Sequence, residues 1–349
     1  MEDVLEQELS PEELHRMGPD RLMVRVRSIV YQGENINAYE LVDPAGGLLP
    51  SFEPGSHIDL YFRDRRVRQY SMCGDPRDRT KYVCAVQREP QGRGGSKAIF
   101  ERVHVGRILA ISKPRNNFPL HKEAKRHVLL AGGIGITPMI SMIHWLQASG
   151  QPFVLHYCTR TPERTAFLGE LRPLVERKLA FIYHDEGVPG RGLEITQLLS
   201  AWEEGTHLYY CGPNGFMSAV RKAAAHWPTG AVHYEYFAPS PDALESMTAV
   251  EPVRTSDMAE AIGVGFQVKL VRSGRVFDVP NDKSIVEVLR ENGVEVQTSC
   301  ESGLCGTCRT RYLDGVPDHR DYILSQQEKA RDMLICCSRA HSQMIVLDL

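Results

Sequence analysis

The chain has 349 residues, a formal charge of −3, and 42% hydrophobic and 24% charged residues. That length exceeds one ordinary domain and predicts two or three, each with ample material for a core. The near-balanced charge gives no reason to expect nucleic acid or an anionic membrane surface as a partner.

Residues 1–20, MEDVLEQELSPEELHRMGPD, are acidic and lack the basic start and apolar stretch of a signal peptide, which predicts a cytoplasmic protein. Within them, 1–17 predicts a short amphipathic helix stopped by Gly18-Pro19.

Residues 21–122 are rich in short alternating runs. RLMVRVRSIV, AYELV, HIDLYF, RQYSM and KYVCAVQ read as strands between Gly/Pro turns, and SKAIFERV (96–103) reads as a helix. This pattern predicts an antiparallel barrel. RQYS (68–71) ends one strand, and alternation sends Arg68 and Tyr70 to one face, with Gln69 between them. Arg68 could hold a phosphate, Tyr70 could lie on a flat ring system, and Ser71 could hydrogen-bond a ring nitrogen. Gly94, Gly95 and Ser96 open the helix, with Ser96 expected as its N-cap at an anion-binding end. Taken alone, RQYS fits an ordinary amphipathic strand better than a ligand site, and GGS also fits an ordinary capped helix.

Residues 123–238 change character. RHVLLAGG, FVLHYC, LAFIYH, HLYYC and VHYEYF read as buried strands alternating with helical stretches, which predicts a parallel sheet. The uncharged run VLLAGGIGITPMISMI (128–143) is too short for a membrane span, which needs about 20 apolar residues. Gly132, Gly133, Gly135 and Pro138 also interrupt it, so it reads as strand, turn and helix. Thr137 is expected as the N-cap, and the glycines let backbone approach a phosphate at the helix N-terminus. YYCGPNGFM (209–217) repeats the strand–turn–helix order, and its turn should open on the same sheet edge, with Cys211 facing the ligand. A tight turn and plain core packing are the competing readings.

Residues 239–263 read as a linker, and 264–349 as a compact unit. That unit opens with the hairpin FQVKLVRSGRVFDVP and continues with the helix SIVEVLRENG, ended by Gly293. The nine cysteines are odd in number and come without an export signal, which argues against a disulfide framework. Cys300, Cys305 and Cys308 are spaced C-x4-C-x2-C, the plant-type [2Fe-2S] pattern once a distant fourth cysteine is added. A four-cysteine zinc site is the main competitor. Zinc ribbons usually present two CxxC pairs, and only Cys305 and Cys308 are so spaced here. Nothing nearby is suited to activating a set of reactive thiols.

Taken together, RQYS (68–71), GGS (94–96), AGGIGITPM (131–139), CGPNGFM (211–217), CESGLCGTC (300–308) and MLICCSRA (333–340) resemble the phthalate dioxygenase reductase and vanillate demethylase reductase family. These are the reductases of Rieske-type oxygenases. The resemblance covers residues 21–349. It implies a multidomain fold: an antiparallel β-barrel flavin domain, an α/β parallel-sheet nucleotide domain and an α+β (β-grasp) plant-type ferredoxin domain. It implies FMN, NADH and a [2Fe-2S] cluster as cofactors, a Rieske non-haem iron oxygenase as partner, no nucleic acid or membrane partner, and a monomeric reductase.

Carried over to this chain, Arg68 and Ser96 would hold the FMN phosphate, with Gln69, Gly94 and Gly95 beside them. Tyr70 and Ser71 would meet the isoalloxazine. Gly132, Gly133, Gly135 and Thr137 would line the pyrophosphate site, and Cys211, Gly212 and Pro213 would face the nicotinamide. Ser71, Cys211 and Phe237 form the expected catalytic set, with Tyr236 or Phe237 covering the flavin. The ligands to iron would be Cys300, Cys305, Cys308 and Cys336. The family has valine where this chain has Cys337, and MLICC reads as a strand whose alternation sends only one of its two thiols to the cluster. NADH is expected over NADPH, although Arg160 and Arg164 follow the second strand of the parallel sheet. Two other readings remain: a reductase serving a haem-thiolate monooxygenase, and a flavin/iron–sulfur redox sensor.

Overall fold

The computed structural model describes residues 21–62, 67–90, 94–237, 265–298, 301–304, 306–324 and 326–349. The helix expected in 1–17, the linker expected at 239–263, and Cys300 and Cys305 lie outside the described residues. Contacts divide the chain into two compact units, 1–237 and 238–349.

The first unit opens with β1 (Arg21–Gly33), β2 (Ile36–Val42), β3 (His57–Tyr61), β4 (Val67–Ser71), β5 (Tyr82–Gln87), α1 (Gly95–Arg102) and β6 (Ile108–Ser112). The six strands pair antiparallel in the order β4-β3-β6-β1-β2-β5. A bridge between Met72 and Cys84, and the Cys73 N–H donating to Val83 O at 2.8 Å, bring the last strand back against the first and close the barrel. Alternation fills the interior with Val24, Val26, Tyr39, Leu41, Ile58, Leu60 and Ile111.

A second layer follows: β7 (Arg126–Gly132), α2 (Ile136–Ser149), β8 (Phe153–Thr159), α3 (Leu168–Glu176), β9 (Ala180–His184), α4 (Ile195–Leu198), β10 (Thr206–Cys211), α5 (Asn214–Ala223) and β11 (Val232–Glu235). All pairings in this sheet are parallel, in the order β11-β10-β7-β8-β9. The order reverses between β7 and β10, so the carboxyl ends of these two strands flank the crevice where open α/β sheets bind ligands. Ile36, Ala38, Cys73 and Ala85 of the barrel share one buried cluster with Leu129, Met139, Tyr157 and Cys211. That shared core holds the two layers as one unit.

In the second unit, β12 (Phe266–Leu270) and β13 (Val276–Val279) form the expected hairpin, followed by α6 (Ile285–Glu291). Ser284 caps α6 reciprocally: the Glu287 N–H donates to Ser284 Oγ at 3.2 Å, and the Ser284 N–H donates to Glu287 Oε2 at 2.7 Å. Next come β14 (Arg309–Asp314), β15 (Pro317–Asp318), α7 (Gln326–Lys329), β16 (Asp332–Leu334), β17 (Arg339–Ala340) and β18 (Met344–Leu347). The main sheet runs β13-β12-β18-β14-β16, with β12 and β18 parallel at its centre. Ile285, Val286, Val288 and Leu289 of α6 pack on it. Among the described residues, no helix is long and apolar enough to cross a membrane.

Candidate functional site

The barrel brings two separate motifs together. Arg68 lies on β4 and Gly95 opens α1, yet a Cβ added at Gly95 would sit 2.6 Å from Arg68 Nε. Glycine lets the arginine stem lie this close to the helix N-terminus. An arginine beside a helix N-terminus suits a phosphate. The cap differs from expectation. Gly94, in the left-handed conformation at φ 79°, is the N-cap of α1 and supplies no side-chain bond. Ser96 lies inside the helix and accepts a hydrogen bond on Oγ from the Glu89 N–H at 3.0 Å.

On β4, alternation puts Arg68 and Tyr70 on one face and Gln69 and Ser71 on the other. Tyr70 packs against the barrel core, and burial raises its hydroxyl above the usual range. Gln69 Oε1 is buried without a protein hydrogen-bond partner among the described residues, which leaves an acceptor for a donor from outside the chain.

The two sheet turns also meet. A Cβ on Gly135 would lie 2.2 Å from Cys211 O, one on Gly132 would lie 2.9 Å from Pro213 Cδ, and one on Gly212 would lie 3.0 Å from Gly132 Cα. The glycines after β7 and β10 are therefore a close-packed cradle at the switch point of the sheet. Gly133, at φ 53°, has open space where its side chain would be. Helix α2 starts two residues earlier than expected, with Gly135 as its N-cap. Thr137 is consequently inside the helix, buried, with its hydroxyl donating to Ile134 O at 3.0 Å.

Ser71 joins barrel to sheet. Its Oγ donates to Glu235 Oε2 at 3.2 Å, and both residues are buried. Glu235 ends β11 in register with Cys211 of β10, itself in register with Ala131 of β7. Burial first, and then the Glu235 carboxylate, push the Cys211 thiol well above its ordinary range, so it stays a neutral thiol. Phe237, two residues beyond Glu235, is 40% exposed and free of the core. Sequence reading named Ser71, Cys211 and Phe237 but missed Glu235. Within VHYEYF it looks like the outward polar residue of an alternating strand. The available signal was a lone carboxylate at the carboxyl end of a buried parallel strand.

In the second unit, Cys308 and Cys336 are both buried, at 4% and 7% exposure. The Cys308 thiol, hydrogen-bonded to Cys336, draws the latter below the ordinary thiol range. The strand expected for MLICC ends at Leu334, and residues 335–337 are a turn. Strand alternation therefore does not separate the two adjacent thiols. A Cβ on Gly303, in the cluster loop, would meet Cys337 Sγ at 2.8 Å. The Tyr322 N–H donates to Gly303 O at 3.1 Å, so the 319–324 segment covers this loop. Two buried thiols facing each other beneath a glycine-bent loop fit a metal–sulfur centre of which Cys300 and Cys305 would be the remaining ligands.

Comparisons with known proteins agree with this geometry. Residues 129–222 match an oxidoreductase NAD-binding domain, and residues 268–341 match a 2Fe-2S iron–sulfur cluster binding domain. The reductase subunit of tert-butanol monooxygenase / tert-amyl alcohol desaturase from Aquincola tertiaricarbonis is 50% identical, over 94% of this chain and 96% of its own. The solved phthalate dioxygenase reductase, described as a modular structure for electron transfer from pyridine nucleotides to [2Fe-2S], superposes with a TM-score of 0.71 at 40% identity, over 94% of this chain and 98% of that one. The chain belongs to the phthalate dioxygenase reductase family. This reductase also superposes, with a TM-score of 0.78 at 35% identity, on an intact type IV self-sufficient cytochrome P450 monooxygenase, over 98% of this chain and 42% of that one. The multidomain fold and the oxidoreductase class expected from the resemblance are borne out.

Proposed function

We propose that this reductase is the NADH-dependent component of a Rieske-type oxygenase, carrying electrons from NADH through FMN to the [2Fe-2S] cluster and on to the oxygenase. The observation that carries the reading is the meeting of three elements in one unit: the Arg68–Gly95 phosphate cradle, the Gly132–Gly135/Gly212 turn pair, and the Ser71–Glu235 contact between them. Bound flavin supplies the chemistry that links a two-electron hydride donor to a one-electron cluster.

The chain's own residues supply position and charge. Arg68 and the α1 N-terminus, with Gly94 and Ser96 beside them, hold the flavin phosphate. Gln69 and Ser71 hold the polar edge of the ring, and Tyr70 packs beside it. The glycine turns, with Thr137 buried behind them, admit the dinucleotide pyrophosphate close to backbone N–H groups. Cys211, Gly212 and Pro213 face the nicotinamide. With Cys211 a neutral thiol, the Glu235 carboxyl group beside Ser71 is placed to orient the Ser71 hydroxyl. Phe237 shields the ring face until nicotinamide displaces it. Cys300, Cys305, Cys308 and Cys336 hold the cluster. A cytoplasmic location is supported by the free state of every described cysteine.

The relatives support a first choice of substrate for the partner. The 50% identical subunit serves an enzyme of tertiary alcohols, so tert-butanol and tert-amyl alcohol are the first substrates to supply. The test reconstitutes the reductase with candidate oxygenases and follows substrate-dependent NADH consumption together with product. A second reading, delivery to a haem-thiolate monooxygenase, is supported by the likeness to the self-sufficient cytochrome P450. The same assay separates the two: reduction of a P450 haem without transfer to any Rieske oxygenase would favour the second.

A further inference from the structure

The loop after β8 is a closed ring. Thr159 Oγ1 lies 2.8 Å from Thr165 Oγ1, and Thr165 Oγ1 donates to Thr161 O at 3.0 Å. Arg164 therefore sits beside the carboxyl end of β8, although it is five residues further along. In open nucleotide-binding sheets this strand end, the second in the unit, meets the adenosine ribose, and an arginine there accommodates a 2′-phosphate. Arg160, next to Thr159, is exposed. Two arginines thus stand where NADPH would be recognised, which is at odds with a preference for NADH.

The β1–β2 hairpin resolves the conflict. Arg164 Nε and Nη2 donate to Glu34 Oε2 and Oε1 at 2.9 and 3.3 Å, a fork on a carboxylate. An exposed ion pair alone is weak, but backbone contacts fix this one at both ends. The Glu34 N–H donates to Glu163 O at 2.7 Å, and the Phe167 N–H donates to Gln32 Oε1 at 3.2 Å. Gly33 lies so close that an added Cβ would be 2.9 Å from Glu163 O.

We infer that Glu34 is a specificity-determining residue: it clasps Arg164 to the barrel, takes the second arginine from a 2′-phosphate, and adds a negative charge that such a phosphate must approach. The inference rests on the NADH reading and names the residue that enforces it.

The test measures kcat/KM for NADH and NADPH with ferricyanide as acceptor, and the affinities for 2′-AMP and 5′-AMP by titration. It uses the wild type, Glu34→Gln and Glu34→Gln/Arg164→Ala. Glu34→Gln should raise kcat/KM for NADPH about tenfold, tighten 2′-AMP binding by a similar factor, and leave NADH and 5′-AMP within about twofold. The double variant should lose the gain. An unchanged NADPH preference in Glu34→Gln, or a gain that persists without Arg164, overturns the inference while the NADH reading stands. A wild type equally active with both dinucleotides overturns both.

Discussion

Ser71 is a small residue on which two layers depend. Its hydroxyl is the barrel's link to Glu235 at the end of the parallel sheet. Ser71→Ala leaves Glu235 without that donor and removes the hydroxyl proposed to meet the ring edge. The rate of flavin reduction by NADH, measured by anaerobic stopped flow, should fall by roughly 10- to 100-fold, with flavin content near wild type. An unchanged rate would remove Ser71 from the catalytic set. The adjacent thiols of the second unit need a paired test, because residues 335–337 form a turn and geometry alone does not separate the two. Cys336→Ser should lose the cluster's absorbance while NADH still reduces the flavin, whereas Cys337→Val should keep both. The reverse result would move the fourth ligand by one position.

Among the elements, the β7 and β10 turns admit no side chain. A Cβ at Gly135 would meet the Cys211 carbonyl at 2.2 Å, and a backbone oxygen cannot swing aside. Gly135→Ala should cost about 3 kcal/mol, the upper end for overpacking, and weaken NADH binding, read by thermal denaturation and by KM. The strands also carry buried and half-buried imidazoles. Burial lowers His57 to about 3, His233 to about 4, and His127 and His207 below the usual histidine value. His207 Nδ1 and His233 Nε2 are 2.9 Å apart, so that contact requires a neutral nitrogen as acceptor. The folded state therefore binds fewer protons than the unfolded one. Stability is fully present above the unfolded value near 6.5 and is lost as pH falls toward 4, by at most about 1.4 kcal/mol per pH unit for each such group. Tm measured from pH 7 to pH 4 should fall through this window, and His233→Phe should flatten the slope. A Tm independent of pH would contradict this picture.

Most of the elements were legible because their periods are clear: two for the barrel strands and the strand–glycine–helix order for the sheet. β6 escaped, since ILAIS at 108–112 has too little alternation to stand out from a loop. The helix caps were misplaced at Ser96 and Thr137 because hydroxyl residues are the stronger cap signal, while glycine took both positions here. Glu235 was hidden because only parallel pairing with Cys211 turns its strand position toward the site. MLICC read as one continuous strand because it is an unbroken apolar run, and the chain instead turns at residues 335–337.

For the whole molecule, the two compact units divide the chemistry. The residues proposed to hold flavin and dinucleotide lie in 1–237, and those proposed as iron ligands lie in 238–349. Loss of the cluster should therefore leave hydride uptake intact, and loss of hydride uptake should leave a cluster that dithionite still reduces. Electrons should pass in order from NADH to flavin to cluster to oxygenase. Anaerobic mixing of the reductase with NADH, followed by flavin bleaching in stopped flow and by freeze-quench EPR of the cluster, tests this order most directly. Flavin bleaching should come first, then the EPR signal of a reduced [2Fe-2S] centre, and its decay when the oxidised oxygenase is added. A cluster that stays oxidised while the flavin is fully reduced, or one reduced before the flavin, would contradict it.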